Sequence, residues 1–290
     1  RIMTGYTLQW DEDKPRYREY VYDSSIHWTG RVRVLGFTHA NSSADGRAVA
    51  SAYISYLAHH PATAKRIAHK LAVRFVSDNP PAALVNRLAA VYLKYDTAIV
   101  PVLRVLLTSP EFKAARGRKV RRPYEDMIAT LRTLGYRLLP TTKPRVDRRS
   151  GPEALYWRSA QLQQAPLAWS QPDGYPDVAA AWTAAGGLLE RWNMHLGLAA
   201  GWWPDSGSIV VPRPQTMLPP VTSSLTYGRM VDAVALRLTG LSLPAAHAAA
   251  VLTFLGKAPT DKVRPTDRWV TWDAARFVAL VLDTPNHQLR

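Results

Sequence analysis

Apolar side chains recurring at three- and four-residue spacing, cut into short runs by proline, constrain this chain more than any other feature of it. Asp45-Gly46 precedes Val49, Ala52, Tyr53, Tyr56 and Leu57 on one helical face, and Asp45 is the expected N-cap. Pro61 opens a second helix at a first-turn position, where its missing N–H costs nothing. Ala64, Ile67, Ala68, Leu71 and Phe75 form one face of that helix, and Arg66, Lys70 and Arg74 run along another. Pro80-Pro81 opens a third helix carrying Leu84, Val85, Leu88 and Val91-Tyr92. A fourth runs to Leu107 and stops ahead of Ser109-Pro110, because proline disfavours helix in the residue before it.

The plan recurs. Residues 71–94 laid over 234–257 pair Ala72/Ala235, Arg74/Arg237, Pro81/Pro244, Ala82/Ala245, Ala83/Ala246 and Lys94/Lys257 without a gap. Residues 106–110 (Leu-Leu-Thr-Ser-Pro) fall on 281–285 (Val-Leu-Asp-Thr-Pro), with 12 extra residues in the second copy, placed in the polar stretch 259–267. Two units of the form helix, Pro turn, helix, helix, Pro stop are expected, as stacked helical pairs require. The predicted fold is mainly α: an irregular multi-helix bundle with two similar helical units and at most a small β-hairpin near the N-terminus. The strand candidates are Tyr20-Val21-Tyr22 and residues 32–37, about a turn at Trp28-Thr29-Gly30. Residues 1–139 read as an N-terminal part with a basic helical unit, and the polar 140–152 as a linker or exposed loop. Residues 153–290 read as a Trp-rich segment plus the second helical unit, packed with the first into one domain.

With 290 residues, 47% of them apolar, the chain can bury a sizeable core. No run approaches the roughly 18 uninterrupted apolar residues of a membrane span. Cysteine is absent, which removes disulfides, thiol chemistry and cysteinyl metal sites. There is no G-x-G-x-x-G, G-x-S-x-G or H-E-x-x-H, and Gly256-Lys257-Ala258 lacks the remaining parts of a phosphate loop. Residues 41–46 imitate the start of a calcium loop, but Ala52 stands where the bidentate glutamate is required. No two of the eight histidines fall at i, i+4, so neither a metal nor a cofactor is expected.

Charge is unevenly placed, with 26 basic and 12 acidic side chains up to residue 150 and 11 against 10 after it. The run Arg116, Arg118, Lys119, Arg121, Arg122 is the candidate docking face for a polyanion. Only Tyr124 and Tyr136 interleave with this region, which argues against single-stranded nucleic acid, whose bases need stacking partners. Six of the ten tryptophans lie in residues 157–203. Large aromatics beside hydrogen-bonding groups suit sugar rings, although most of these tryptophans are expected to fill gaps between helices made light by alanine. Trp182 is one candidate contact, and Trp202-Trp203, beside Pro204-Asp205-Ser206-Gly207, is the pair expected at an exposed helix end.

An ordered series of short motifs runs the length of the chain. It comprises Thr4-Gly5-Tyr6, His27 with Thr29-Gly30, Leu35-Gly36, Asp45-Gly46, His60-Pro61-Ala62-Thr63-Ala64, Lys70-Leu71 and Phe75-Val76. It continues with residues 106–112 (Leu-Leu-Thr-Ser-Pro-Glu-Phe), Gly174-Tyr175-Pro176-Asp177, and Trp182 with Leu188-Leu189 and Arg191. In this order they resemble the bacterial family known as domain of unknown function 1800. The resemblance implies a longer, largely helical parent, often exported to the periplasm or beyond and often encoded beside a sulfatase-like protein. On that view this chain is the C-terminal portion, and an N-terminal helical region is missing. The family pattern His-Asp-x-Gly-x-Lys is broken here, since Trp28 follows His27 and Val32 replaces the lysine. Tyr175 stands where the family tends to have tryptophan, which keeps an aromatic wall for packing or ligand contact.

Three functions are therefore in play. The leading one is a helical binding or scaffold module for an anionic polysaccharide or a co-encoded sulfatase-like protein. The second is an enzyme on glycans or their sulfate or phosphate esters, with His27, His60, Asp177 and Arg191 in a cleft lined by Trp182. The third, nucleic-acid binding through backbone contacts alone, has the least support.

Overall fold

Proline and glycine set most of the boundaries. A computed structural model describes residues 1–139, 151–204 and 209–290. Among them the chain is mainly helical, with three small two-stranded antiparallel sheets. It divides into two compact units, residues 1–72 with 79–113 and residues 73–78 with 114–290. Of the expected linker 140–152, residues 140–150 lie outside the described residues, and Gly151 and Pro152 open a helix.

The first unit begins with β1 (Tyr6–Leu8) paired to β2 (Tyr20–Tyr22), then β3 (Val32–Val34) paired to β4 (Phe37–His39). The hairpin turn is Leu35-Gly36, not Trp28-Thr29-Gly30. Both turn residues take positive φ, 48° and 87°, and such a two-residue turn matches the twist of its strands. Helices α1 (Arg47–Ala58), α2 (Pro61–Phe75), α3 (Ala82–Lys94), α4 (Ile99–Thr108) and α5 (Pro110–Ala114) follow. Asp45 stands one residue ahead of the N-cap, which is Gly46, and its carboxylate accepts the Arg47 N–H at 3.1 Å. The expected faces are inside in part: Ala64 and Ala68 on α2 and Leu84, Leu88 and Tyr92 on α3 are buried, Ala72 joins them, and Phe75 is exposed; on α4 Val102 and Leu106 are buried.

The second unit contains α6 (Pro123–Leu134), β5 (Arg137–Leu138), α7 (Gly151–Gln161), α8 (Ala185–Ala199) and β6 (Ile209–Val210). It ends with α9 (Tyr227–Thr239), α10 (Ala245–Leu255), α11 (Ala274–Leu282) and α12 (Pro285–Gln288). Helix α8 packs on α6 and α11, and α9 packs on α10 and α11. Met127, Met194, Leu198, Tyr227, Met230, Val234, Phe277 and Val281 form the interior between them. Each such fully buried large side chain contributes roughly 1.5–3 kcal/mol.

The repeat is visible as element order and as caps. Pro81 and Pro244 are both extended N-cap residues, with ψ of 133° and 147°, and each accepts the first helical hydrogen bond through its carbonyl. Ser109 Oγ donates to the Leu106 carbonyl at 2.7 Å, and Thr284 Oγ1 donates to the Val281 carbonyl at 2.7 Å. A proline then starts a short helix in both copies. The extra residues of the second copy fall between α10 and α11. Among the described residues no helix is long and apolar enough to cross a membrane.

Candidate functional site

Three helical segments of the second unit each project two polar side chains, four residues apart, into an otherwise apolar interior. They are Asp126 and Thr130 on α6, Arg191 and His195 on α8, and Asp283 with His287 at the junction of α11 and α12. Residues four apart share a helix face, which brings the first two pairs in together; Asp283 and His287 meet across the extended Thr284 that separates α11 from α12. Pro123 stands at the first position of α6 and Gly135 (φ 87°) caps its end, and Asp126 is on the buried face between them. Asp126 Oδ2 accepts from Arg191 Nε at 2.7 Å and lies 3.1 Å from His195 Nε2. His195 Nδ1 bonds Asp283 Oδ1 at 2.7 Å, and His287 Nε2 bonds Thr130 Oγ1 at 2.9 Å.

Burial and charge compete in this cluster. Burial alone would raise the Asp126 carboxyl, but His195, His287 and Arg191 hold it well below the usual carboxylate range. Burial alone would lower His195, but Asp126 and Asp283 outweigh it and push the imidazole up to about 9. Burial raises Asp283 and lowers His287, their partners offsetting only part of that. Arg191 and Asp126 are fully buried, so neither charge is stable there without the other.

The second unit also holds two pockets. One, of about 340 Å³, is lined by Trp192, His247, Leu280, Asp283 and Thr284, so that Asp283 joins the buried His195 to a pocket wall. The other, of about 240 Å³, is lined by Trp182, Gln161, Gln163, Glu190 and the first turn of α8 around Gly186-Gly187. The cap of α8 is Ala184, which offers no side-chain acceptor for the N–H groups of that turn. Trp182 donates its indole N–H to the Pro176 carbonyl at 2.8 Å, leaving its ring face for contact. Tyr175 lies between Trp169 and Trp182, with ring centroids 4.9 and 6.0 Å away.

A family model described as "Protein of unknown function (DUF1800)" matches residues 1–289. The chain belongs to that family. No curated protein and no solved structure matches it.

The DUF1800 motif residues occupy both units. In the first, His27 is 8% exposed, with Nδ1 2.9 Å from the Thr4 carbonyl and Nε2 3.0 Å from Asn41 Oδ1. Gly46 of the Asp-Gly motif lies so close that a Cβ there would stand 2.0 Å from the His27 ring. His60 is half-buried ahead of α2, its Nδ1 accepting the Ala62 N–H at 3.2 Å. Asp177 and Arg191 lie in the second unit, in separate networks. Asp177 accepts from Arg74 at 3.2 Å, and its backbone carbonyl accepts from Lys119 Nζ at 2.7 Å. Arg191 faces Asp126 instead.

The basic run divides in the same way. Lys119 is 3% exposed and paired with Asp78 at 2.6 Å, Arg122 is paired with Glu125 at 2.8 Å, and Arg121 Nε donates to the Leu289 carbonyl at 3.3 Å. Arg116 and Arg118 are exposed. Trp202 is 70% exposed, whereas Trp203 packs on the core with the Arg158 guanidinium 5.7 Å over its ring. Asp205-Ser206-Gly207 lie outside the described residues. Asp126, His195, Asp283 and His287 are absent from the sequence-based site. A pattern of two histidines at i, i+4 does not contain them, because His195 is paired at that spacing with Arg191 and His287 with Asp283.

Proposed function

We propose that this DUF1800 chain binds an acidic glycan, with one sugar ring seated against Trp182. The observation that carries this reading is the composition of the 240 Å³ pocket. It combines an aromatic face, the amides of Gln161 and Gln163, the Glu190 carboxylate and the uncapped first turn of α8. A ring face holds the apolar side of a sugar, amides and a carboxylate bond its hydroxyls, and helix N–H groups favour a sulfate or carboxylate substituent. The exposed Arg116 and Arg118 add long-range attraction for a polyanion.

Calorimetric titration with sulfated, uronic-acid and neutral oligosaccharides tests the proposal. Acidic chains should bind more tightly than neutral ones and lose affinity as salt rises, and Trp182→Ala should weaken binding by about tenfold. Equal binding by Trp182→Ala, or a preference for neutral chains, would overturn it.

A further inference from the structure

Asp126 on α6, His195 on α8 and His287 on α12 offer a carboxylate oxygen and two ring nitrogens, all within 4.8 Å of one another. These side chains are at most 1% exposed. The Nδ1 of His195 is committed to Asp283 at 2.7 Å. A neutral ring donating there directs the Nε2 lone pair at Asp126 Oδ2, 3.1 Å away. His287 Nε2 stands 3.4 Å from Asp126 Oδ1. Lone pairs facing carboxylate oxygens at these distances repel, so positive charge has to lie among them, as ring protons or as one ion.

Arg191 bears on the choice. Both its terminal nitrogens, like Asp126 Oδ1, have no hydrogen-bond partner among the described residues. A proton on His287 Nε2, 3.4 Å away, would serve Asp126 Oδ1, but the guanidinium would still need an acceptor, which an anionic ligand on a bound ion would supply. We propose that the cluster holds one divalent transition-metal ion of the zinc class, ligated by Asp126, His195 and His287. Two imidazoles and a carboxylate suit such an ion, and a ligand histidine whose second nitrogen bonds a carboxylate is the usual supporting arrangement. With both imidazoles neutral, a dication beside Asp126, Asp283 and Arg191 leaves one positive charge in excess. A hydroxide or carboxylate as fourth ligand cancels it and supplies an acceptor for Arg191. Binding of the ion requires the Thr130 hydroxyl, 2.9 Å from His287 Nε2, to give up that bond. The site stands apart from the Trp182 pocket and does not depend on the glycan reading.

The test strips the purified chain with a chelator, returns Zn²⁺ or Co²⁺, removes free metal by gel filtration and measures bound metal by mass spectrometry. One equivalent should remain per chain. A hundredfold excess of Zn²⁺ over its Kd should raise Tm by about 5 °C, with no such effect from Mg²⁺. His287→Gln and His195→Gln should each abolish retention. If either variant fails to fold, X-ray absorption at the zinc edge of the unaltered chain should show two imidazoles and oxygen ligands. No retained metal and no Tm shift would overturn the proposal, leaving a cluster balanced by protons. So would full retention in both variants, or a spectrum without two imidazoles.

Discussion

His195 carries the sharpest energetic consequence of any single residue in the chain. Its imidazole rises from an ordinary 6.5 to about 9 because Asp126 and Asp283 outweigh the cost of burial. A group whose folded pKa exceeds its unfolded one stabilises fully below the unfolded value, and that contribution disappears as pH climbs through the folded value. In chelator-treated protein, urea denaturation should therefore show stability falling by on the order of 3 kcal/mol between about pH 6.5 and 9. The slope should vanish in His195→Gln. Asp126 works in the opposite direction: its depressed carboxyl contributes above the ordinary carboxylate range and is lost as acid protonates it.

At the scale of elements, the two hydroxyl stops make the duplication testable. Ser109 and Thr284 each return a hydrogen bond to the carbonyl three residues back, at the ends of α4 and α11. Ser109 also accepts the Phe112 N–H at 3.1 Å, so it satisfies two groups where Thr284 satisfies one. Thermal denaturation should show Ser109→Ala and Thr284→Val each costing about 1 kcal/mol, with the serine change the larger.

These helix ends were legible from sequence because proline acts through local sterics, which no tertiary contact cancels. So were the alanine and leucine faces of α2 and α3. The hairpin turn was not. Leu35 is not a residue that asks for positive φ, and its conformation is held by Tyr56 of α1, whose hydroxyl donates to the Leu35 carbonyl. Asp45 lies one position ahead of the cap, with its carboxylate on the Arg47 N–H and the Arg47 guanidinium. Of the candidate site, Trp182 and Arg191 could be singled out beforehand. The partner of Arg191 could not, since Asp126 lies 65 residues away and only packing of α6 on α8 joins them.

For the whole molecule, a count of charges overstates how much of the basic excess faces outward. Lys119 sits in the middle of the most basic run, yet it is buried between Asp78 and the backbone of Asp177. Lys119→Ala should lower stability by about 1–3 kcal/mol in urea and leave retention on an anionic resin nearly unchanged. Arg116→Glu with Arg118→Glu should do the reverse.

Sealing a titratable ring behind three helices has one more effect, on time. A proton can reach or leave His195 through Asp283, whose carboxylate bonds its Nδ1 and lines the 340 Å³ pocket, or when the packing of α6, α8 and α11 opens. After a sudden change of pH, this ring should lag behind histidines at the surface.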